Sequence, residues 1–344
     1  MTNKFYVFML LGAVALSAMM GCDKKNDPSE PGDVYAAGFE INEQDKHVAK
    51  LWKNGVAQNL SDGTYKAMAN SVYVSGKEVY VAGNEENTQG KLVAKLWKNG
   101  ETQNLSDGIC DAVANSVSVS DGNVYVAGNE LNAQNRQVAI LWKDGVAQNL
   151  SDGTYNTYAS AVYVSGKDVY VAGYEMNAQN RQVAKLWKNG MVQNLSDGTY
   201  NALAIFVYVS GDDVYVVGSE TKQGMLVATL WKNGVAQNLL GGSASSVYVS
   251  GRDVYVAGHI FSSELFRYFA KLWKNGVAQN LSDEAYESYA SSVYVSGNNV
   301  YVAGFEVKAQ GDKRVATVWK NGEAQSLSDG TNMAGANAVF VGKK

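Results

Sequence analysis

Cysteine, proline and histidine are nearly absent from this chain, with two of each in 344 residues. Cys22 and Cys110 alone exclude a disulfide framework. His47 and His259 read as loop residues of different repeats, so neither a histidine metal trio nor a histidine-dependent triad can be drawn. Cys110 replaces a loop tyrosine and has no partner that would activate it. Charge of one sign is also lacking: 29 basic residues face 33 acidic ones, a net charge of −4, which argues against a nucleic-acid partner. Beyond the first two dozen residues no stretch carries apolar residues at helical spacing over two turns. The glycines belong to turns, with no phosphate-cradling loop and no Asp-x-Asp-x-Asp-Gly calcium loop. The expectation is a chain with no cofactor, no resident metal and no catalytic constellation.

What is abundant is one phrase. Val-Ala-Lys-Leu-Trp-Lys-Asn-Gly, at 183–190, recurs seven times with small changes and holds all seven tryptophans: Trp52, Trp97, Trp142, Trp187, Trp231, Trp273 and Trp319. The steps between them are 45, 45, 45, 44, 42 and 46 residues. A fixed period of this length means one supersecondary unit stacked many times. Each unit holds four β-like phrases: Ser-Val-Tyr-Val-Ser-Gly (71–76), Val-Tyr-Val-Ala-Gly (79–83), the tryptophan phrase, and Val-Ala-Gln-Asn-Leu (56–60). Asn-Gly after each Trp-Lys suits a two-residue hairpin turn whose central residues both need positive φ, and Asp144-Gly145 serves the same geometry. Consecutive strands are therefore antiparallel neighbours.

Both faces of these strands are apolar, with Val72 and Val74 on one side and Tyr73 on the other. A sheet buried on both faces must lie between similar sheets. Radial packing achieves this, so the fold expected is all-β, a seven-bladed β-propeller of four-stranded antiparallel blades. The chain begins on the second phrase (34–38) and ends on the first (338–342), so the C-terminal strand completes the N-terminal blade and leaves no exposed sheet edge. The pattern resembles bacterial extracellular repeat proteins of the HAF type and related uncharacterised propeller lipoproteins, over nearly all of residues 33–342. The resemblance implies a secreted propeller and no established activity. The WD40 and kelch signatures are absent.

Residues 1–21 read as a lipoprotein signal peptide: Lys4, an apolar run from Phe5 to Ala18 too short to span a bilayer comfortably, then Met19-Met20-Gly21-Cys22. Cys22 is the expected lipidation site, residues 22–32 the tether and 33–344 the propeller. This places the chain in the cell envelope, lipid-anchored, at the outer membrane, as a monomer.

Strand order puts the Ser-Gly and Lys-Asn-Gly turns on one face, with the tether and a ring of lysines (Lys53, Lys98, Lys143, Lys188, Lys232, Lys274, Lys320) that either meets anionic headgroups or is simply solvated. The longer loops form the other face. Acids repeat there, with a Glu after Val-Ala-Gly (Glu40, Glu85, Glu130, Glu175, Glu220, Glu306) and an Asp in Ser-Asp-Gly (Asp62, Asp107, Asp152, Asp197, Asp283, Asp329). A residue repeated in nearly every blade serves the blade first, so Asp is expected to cap its own turn; a cation site or paired carboxylates for glycoside chemistry are the functional alternatives. The sixth blade breaks the pattern, with Gly241 and Ile260 in place of the acids, a shortened preceding loop and an aromatic segment from His259 to Phe269. Two readings stand: Phe261, Phe266 and Tyr268 line a ligand groove near blades five and six, with Tyr174 and Tyr200 as neighbours, or the segment folds down and fills the gap. The function expected is a binding module for an extracellular glycan or peptide through the long-loop face; the alternatives are an envelope protein–protein scaffold and a carboxylate-dependent glycan-cleaving enzyme.

Overall fold

A computed structural model describes residues 32–239, 241–283, 285–308 and 313–343. The signal peptide, Cys22 and most of the tether lie outside the described residues. Among those described are twenty-eight strands, numbered β1 to β28 in chain order, in seven four-stranded antiparallel sheets. The first blade joins β28 (Ala334–Val341) to β1 (Val34–Ile41), β2 (His47–Lys53) and β3 (Val56–Asn59). Blades two to seven follow in sequence at 67–104, 112–149, 157–194, 202–238, 243–280 and 288–326, each with its first strand innermost and its fourth outermost. The ring closes where Tyr35 pairs with Phe340 and Val34 with Val341.

The hairpins form as their residues dictate. Lys53 pairs with Val56 around Asn54 and Gly55, whose φ angles of 50° and 81° are those of the turn that Asn-Gly favours. Asn54 then fixes the adjoining end of the blade, since its Oδ1 accepts from the Val34 amide at 2.9 Å and its Nδ2 donates to Asp33 Oδ1 at 2.8 Å. Both kinds of short turn thus share one face, and Asp33 lies there beside the chain's other end, its carbonyl accepting from the Gly342 amide at 2.9 Å.

Each tryptophan is a wedge into the preceding blade. Trp97 packs on Tyr35, Ala37 and Leu51 of blade one, and Trp52 on Tyr301, Ala303 and Val318 of blade seven. All seven tryptophans are fully buried. Burial of 150–250 Å² each corresponds to roughly 4–6 kcal/mol as an upper bound. Nearer the axis, polar ties repeat. The Val117 amide donates to Ser71 Oγ at 3.2 Å and Asn70 Nδ2 to the Ala114 carbonyl at 3.0 Å, both between blades two and three. The same kinds of tie hold β28 to both neighbouring blades, where the Val339 amide donates to Ser292 Oγ of blade seven at 3.2 Å and Asn337 Nδ2 to the Ala69 carbonyl of blade two at 2.9 Å.

The expected absence of sheet edges is corrected. Closure seals the inner end, but the fourth strand of every blade is outermost and exposed along its four residues. The edges are short, and short edge strands limit edge-to-edge pairing.

The glycine of Val-Ala-Gly is required by closeness. A Cβ on Gly173 would sit 1.9 Å from the Tyr158 carbonyl oxygen and 3.0 Å from Trp187 Cζ3, while one on Gly166 meets nothing within 4 Å. Gly173→Ala is expected to cost about 3 kcal/mol in urea unfolding, as overpacking against backbone allows no side-chain relief. Gly166→Asn, at φ 58° in an open turn, should cost under about 1 kcal/mol.

Candidate functional site

On the long-loop face the repeated acids hold the blades. Each loop aspartate accepts from an amide two residues on, as Asp62 does from Thr64 at 2.8 Å and Asp283 from Ala285 at 3.0 Å. This is the turn cap that the repeat implied. The glutamates pair diagonally with the third-strand lysine: Glu40 with Lys50 at 2.5 Å, Glu175 with Lys185 at 3.1 Å, and Glu85 with Lys95. Blade five has Thr229 where that lysine stands, and its Glu220 pairs with Lys222 at 2.8 Å instead; blades three and seven carry Ile140 and Thr317. There the Glu130 and Glu306 carboxyls are pushed above the ordinary range, first by burial, with Asp107 and Asp283 of the preceding blades adding repulsion and Lys308 partly offsetting it at Glu306.

The lysine ring of the short-turn face is engaged in the same manner. Lys53, Lys188, Lys232 and Lys274 reach Asp33, Asp168, Asp213 and Asp253 at 2.7–2.8 Å, and Lys98 reaches Glu78 at 3.6 Å. Each of the seven also lies over the tyrosine paired opposite it, 5.2–5.8 Å from the ring centroid. These contacts tie the two turns of a blade together and neutralise much of the charge available for headgroups.

Blade six departs from its neighbours. The shortened loop before it brings Gly242, at φ 101°, against the His259 carbonyl, where a Cβ would lie only 2.0 Å away. His259 and His47 are strand residues, in β21 (Asp253–Ser262) and β2, and not loop residues as the sequence suggested. β21 runs on into β22 (Arg267–Lys274) through a turn that projects from the blade, with Ser262 paired to Arg267. Ile260 and Phe269 turn inward, and Phe269 is buried. Phe261 and Phe266 do not fill the gap: they are 49% and 80% exposed, beside an exposed Leu265 and a partly exposed Tyr268. Phe266 also holds φ 50°, a conformation that is costly for a bulky side chain and ordinarily taken by Gly or Asn.

From this tip an aromatic run leads into blade seven. Phe261 meets Phe266 at 6.5 Å and Tyr268 at 5.1 Å between centroids. His259 meets Tyr268 edge-on at 5.1 Å and stacks on Tyr289 at 3.9 Å. Tyr289 stacks on Phe305 at 5.7 Å, and the Arg314 guanidinium lies 4.4 Å over Phe305. Arg267 Nη1 donates to the Ala285 carbonyl at 2.8 Å, tying the hairpin to the loop that walls a groove of about 670 Å³. Asp283, Tyr286, Glu287, Glu306 and Lys308 line that groove, between blades six and seven.

Of the five residues singled out from sequence, Phe261, Phe266 and Tyr268 come together. Tyr174 lies in blade four, stacked on Tyr158 at 4.6 Å, its hydroxyl pushed up to about 12 by burial. Tyr200 stands exposed in the loop between blades four and five. Sequence reasoning missed Tyr289, Phe305 and Arg314. The available signal was that Tyr289 and Phe305 occupy the paired positions taken by Tyr158 and Tyr174 in blade four. Among the described residues, no group of three or more His, Cys, Asp or Glu side chains is placed to hold a metal ion, and no helix is long and apolar enough to cross a membrane.

No family model matches the chain, and no curated protein does. Among solved structures it is similar to a Mycobacterium tuberculosis puromycin-hydrolyzing peptidase, at 12% identity and a TM-score of 0.58 over 88% of this chain and 53% of that one. A puromycin hydrolase mutant complexed with PGG gives 11% identity and a TM-score of 0.60 over 87% of this chain and 52% of that one. This chain thus spans about half the length of each. The β-propeller domain of the Trilobed protease from Pyrococcus furiosus is matched over 96% of its length and 88% of this chain, at 10% identity and a TM-score of 0.53. That domain is described as having an open velcro topology, whereas here β28 pairs with β1. Likeness at this identity shows the propeller fold and nothing of its chemistry.

His259 is buried and burial lowers its pKa to about 4. The unfolded chain, with a histidine near 6.5, therefore binds the proton more readily. The contribution of neutral His259 is present above pH 6.5 and lost progressively as pH falls to about 4, amounting to about 3 kcal/mol. Chemical unfolding across this window should show the wild type losing about that much more stability than His259→Gln. Phe266→Gly should raise stability by about 1 kcal/mol, because it relieves the left-handed backbone without removing buried surface.

Proposed function

We propose that this chain is a lipid-anchored cell-envelope binding module that holds an extracellular glycan or peptide on its long-loop face, at the junction of blades six and seven. The observation that carries the reading is Phe266, largely presented to solvent in a backbone conformation unfavourable to it, at the tip of a hairpin tied to the groove. Two local costs, exposed apolar surface and left-handed backbone, are borne at one residue that contributes nothing to the core. Exposed rings offer faces to a sugar or an apolar side chain, and the carboxylates, Tyr286 and Lys308 beside them offer hydrogen bonds to hydroxyls or amides. Lipidation of Cys22 would anchor the chain, and the position of Asp33 on the short-turn face supports the long-loop face looking away from the membrane. A role as an envelope scaffold, with this same junction as the contact surface, is the alternative within the binding class.

Glu306 favours a second reading, glycan cleavage. Its raised pKa and its place in the groove with Asp283 suit a proton donor opposite a second carboxylate. The peptidase likeness adds nothing to it, being a likeness of fold.

A glycan and peptide array probed with the detergent-solubilised chain tests the first reading. Phe261→Ala with Phe266→Ala should weaken the signal at least tenfold while costing no more than about 2 kcal/mol of stability, since Phe266 is exposed and Phe261 half exposed. Retained binding would contradict it. Glu306→Gln, which keeps a hydrogen-bonding side chain in the groove, should weaken array binding less than the two phenylalanine changes under the binding reading; polysaccharide turnover that this substitution removes would establish cleavage instead. Cys22→Ala should move the protein from the membrane to the soluble fraction.

A further inference from the structure

The inner strands carry a second site, on the propeller axis and independent of the long-loop junction. Their Ser-Val-Tyr-Val phrase places Tyr73, Tyr163, Tyr208, Tyr248 and Tyr294, with Phe340 of β28, at one level of the channel. Neighbouring rings stand 4.7–4.8 Å apart between centroids around the axis, tilted by 39–51°. The seventh position belongs to blade three, which has Ser118, buried, at the register of Tyr73. Among the described residues Tyr73 and Tyr163, on either side of it, make no ring contact with each other.

The six rings are the mould of the one that is missing. A cavity of about 90 Å³ lies on the axis, walled by all seven inner strands, and blade three contributes Ser116, Val117 and Ser118 to its wall. The ring separates it from a vestibule of about 430 Å³ on the short-turn face, whose mouth is formed by Ser75, Gly76 and Lys343. The hydroxyls supply direction. The hydroxyls of Tyr163, Tyr208, Tyr248 and Tyr294 lie close enough to influence one another's ionisation, a chain of neighbours that ends at Tyr163 beside the gap. Burial holds Tyr163, Tyr208 and Tyr294 protonated far into the alkaline range, so the chain is one of neutral donors and acceptors.

We propose that the gap at Ser118 binds one small phenol, entering from the short-turn face. Its ring would stand between Tyr73 and Tyr163 at the spacing its six neighbours already keep, within the range aromatic pairs prefer. Its hydroxyl would extend the tyrosine chain. A buried apolar space is a known receptor for a flat hydrocarbon. The gap differs in the hydroxyl partner at one end, which selects a phenol over benzene.

Titration calorimetry of the full chain in detergent tests this with phenol itself. Saturable binding of one phenol per chain is expected, with cyclohexanol, of like size but not flat, binding at least tenfold more weakly. Ser118→Tyr should lose phenol binding and melt at a higher temperature, because it completes the ring. Phenol bound equally by Ser118→Tyr, cyclohexanol bound as well as phenol, or no saturable heat with the wild type would overturn the proposal. If Ser118→Tyr does not fold, crystals soaked in 4-bromophenol decide: anomalous bromine density between Tyr73 and Tyr163 supports the site, and none there overturns it.

Discussion

The structure depends on a geometric constraint, that seven wedges must complete one turn. An error at one interface cannot be absorbed locally, because it accumulates at the seam where β28 meets β1. This explains why the tryptophan position varies in none of the seven units while its neighbours drift. A buried tryptophan sets the distance between blades, and the glycine beneath it lets the ring approach the inner strand's backbone. The seam itself is an ordinary interface. It is the ladder between β1 and β28, and β28 is in turn held to blades seven and two by the serine and asparagine ties that join other blades.

Repetition also sorts residues by purpose. The long-loop Asp caps its turn wherever it occurs, the Glu beyond the second strand meets a lysine in blades one, two, four and five, and the short-turn lysine lies over a tyrosine in every blade and meets an acid in five of them. Charges that would look functional one at a time are the local fastenings of a blade. Function is to be sought where a fastening is missing. Blade six has lost its acids and gained an exposed aromatic hairpin. Blade seven has Thr317 for lysine, which leaves Glu306 in a groove with Asp283. Blade three has Ser118 for an axial ring. Three departures from one template mark both proposed sites.

Much of the fold was legible because it rests on local rules. Asn-Gly fixes its hairpins, alternation fixes the faces, and the period of the tryptophans fixes the blade count and the pairing of Tyr35 with Phe340. The outer edges were misjudged because closing a ring end to end was taken to protect every strand, whereas it protects only the inner ones. The site was legible in part. The hairpin of Phe261, Phe266 and Tyr268 showed as a break in composition, but its continuation through Tyr289 and Phe305 depends on which blade faces which, and a period does not state that. The axial rings were missed for the same reason: Ser-Val-Ser-Val at 116–119 reads as a mild substitution until the seven strands are set around an axis. Two histidines misread as loop residues show the limit of composition near strand ends, where β21 extends past its glycine.

Native-state hydrogen exchange of the β28 amides tests the central claim most directly. If closure holds the ring, amides of Ala336, Ala338 and Phe340 exchange only through global unfolding, with the same free energy as amides beside Trp142 and Trp187 on the far side. Exchange of β28 at much lower free energy, with the other blades still protected, would mean that the seam opens alone and that the blades do not depend on it.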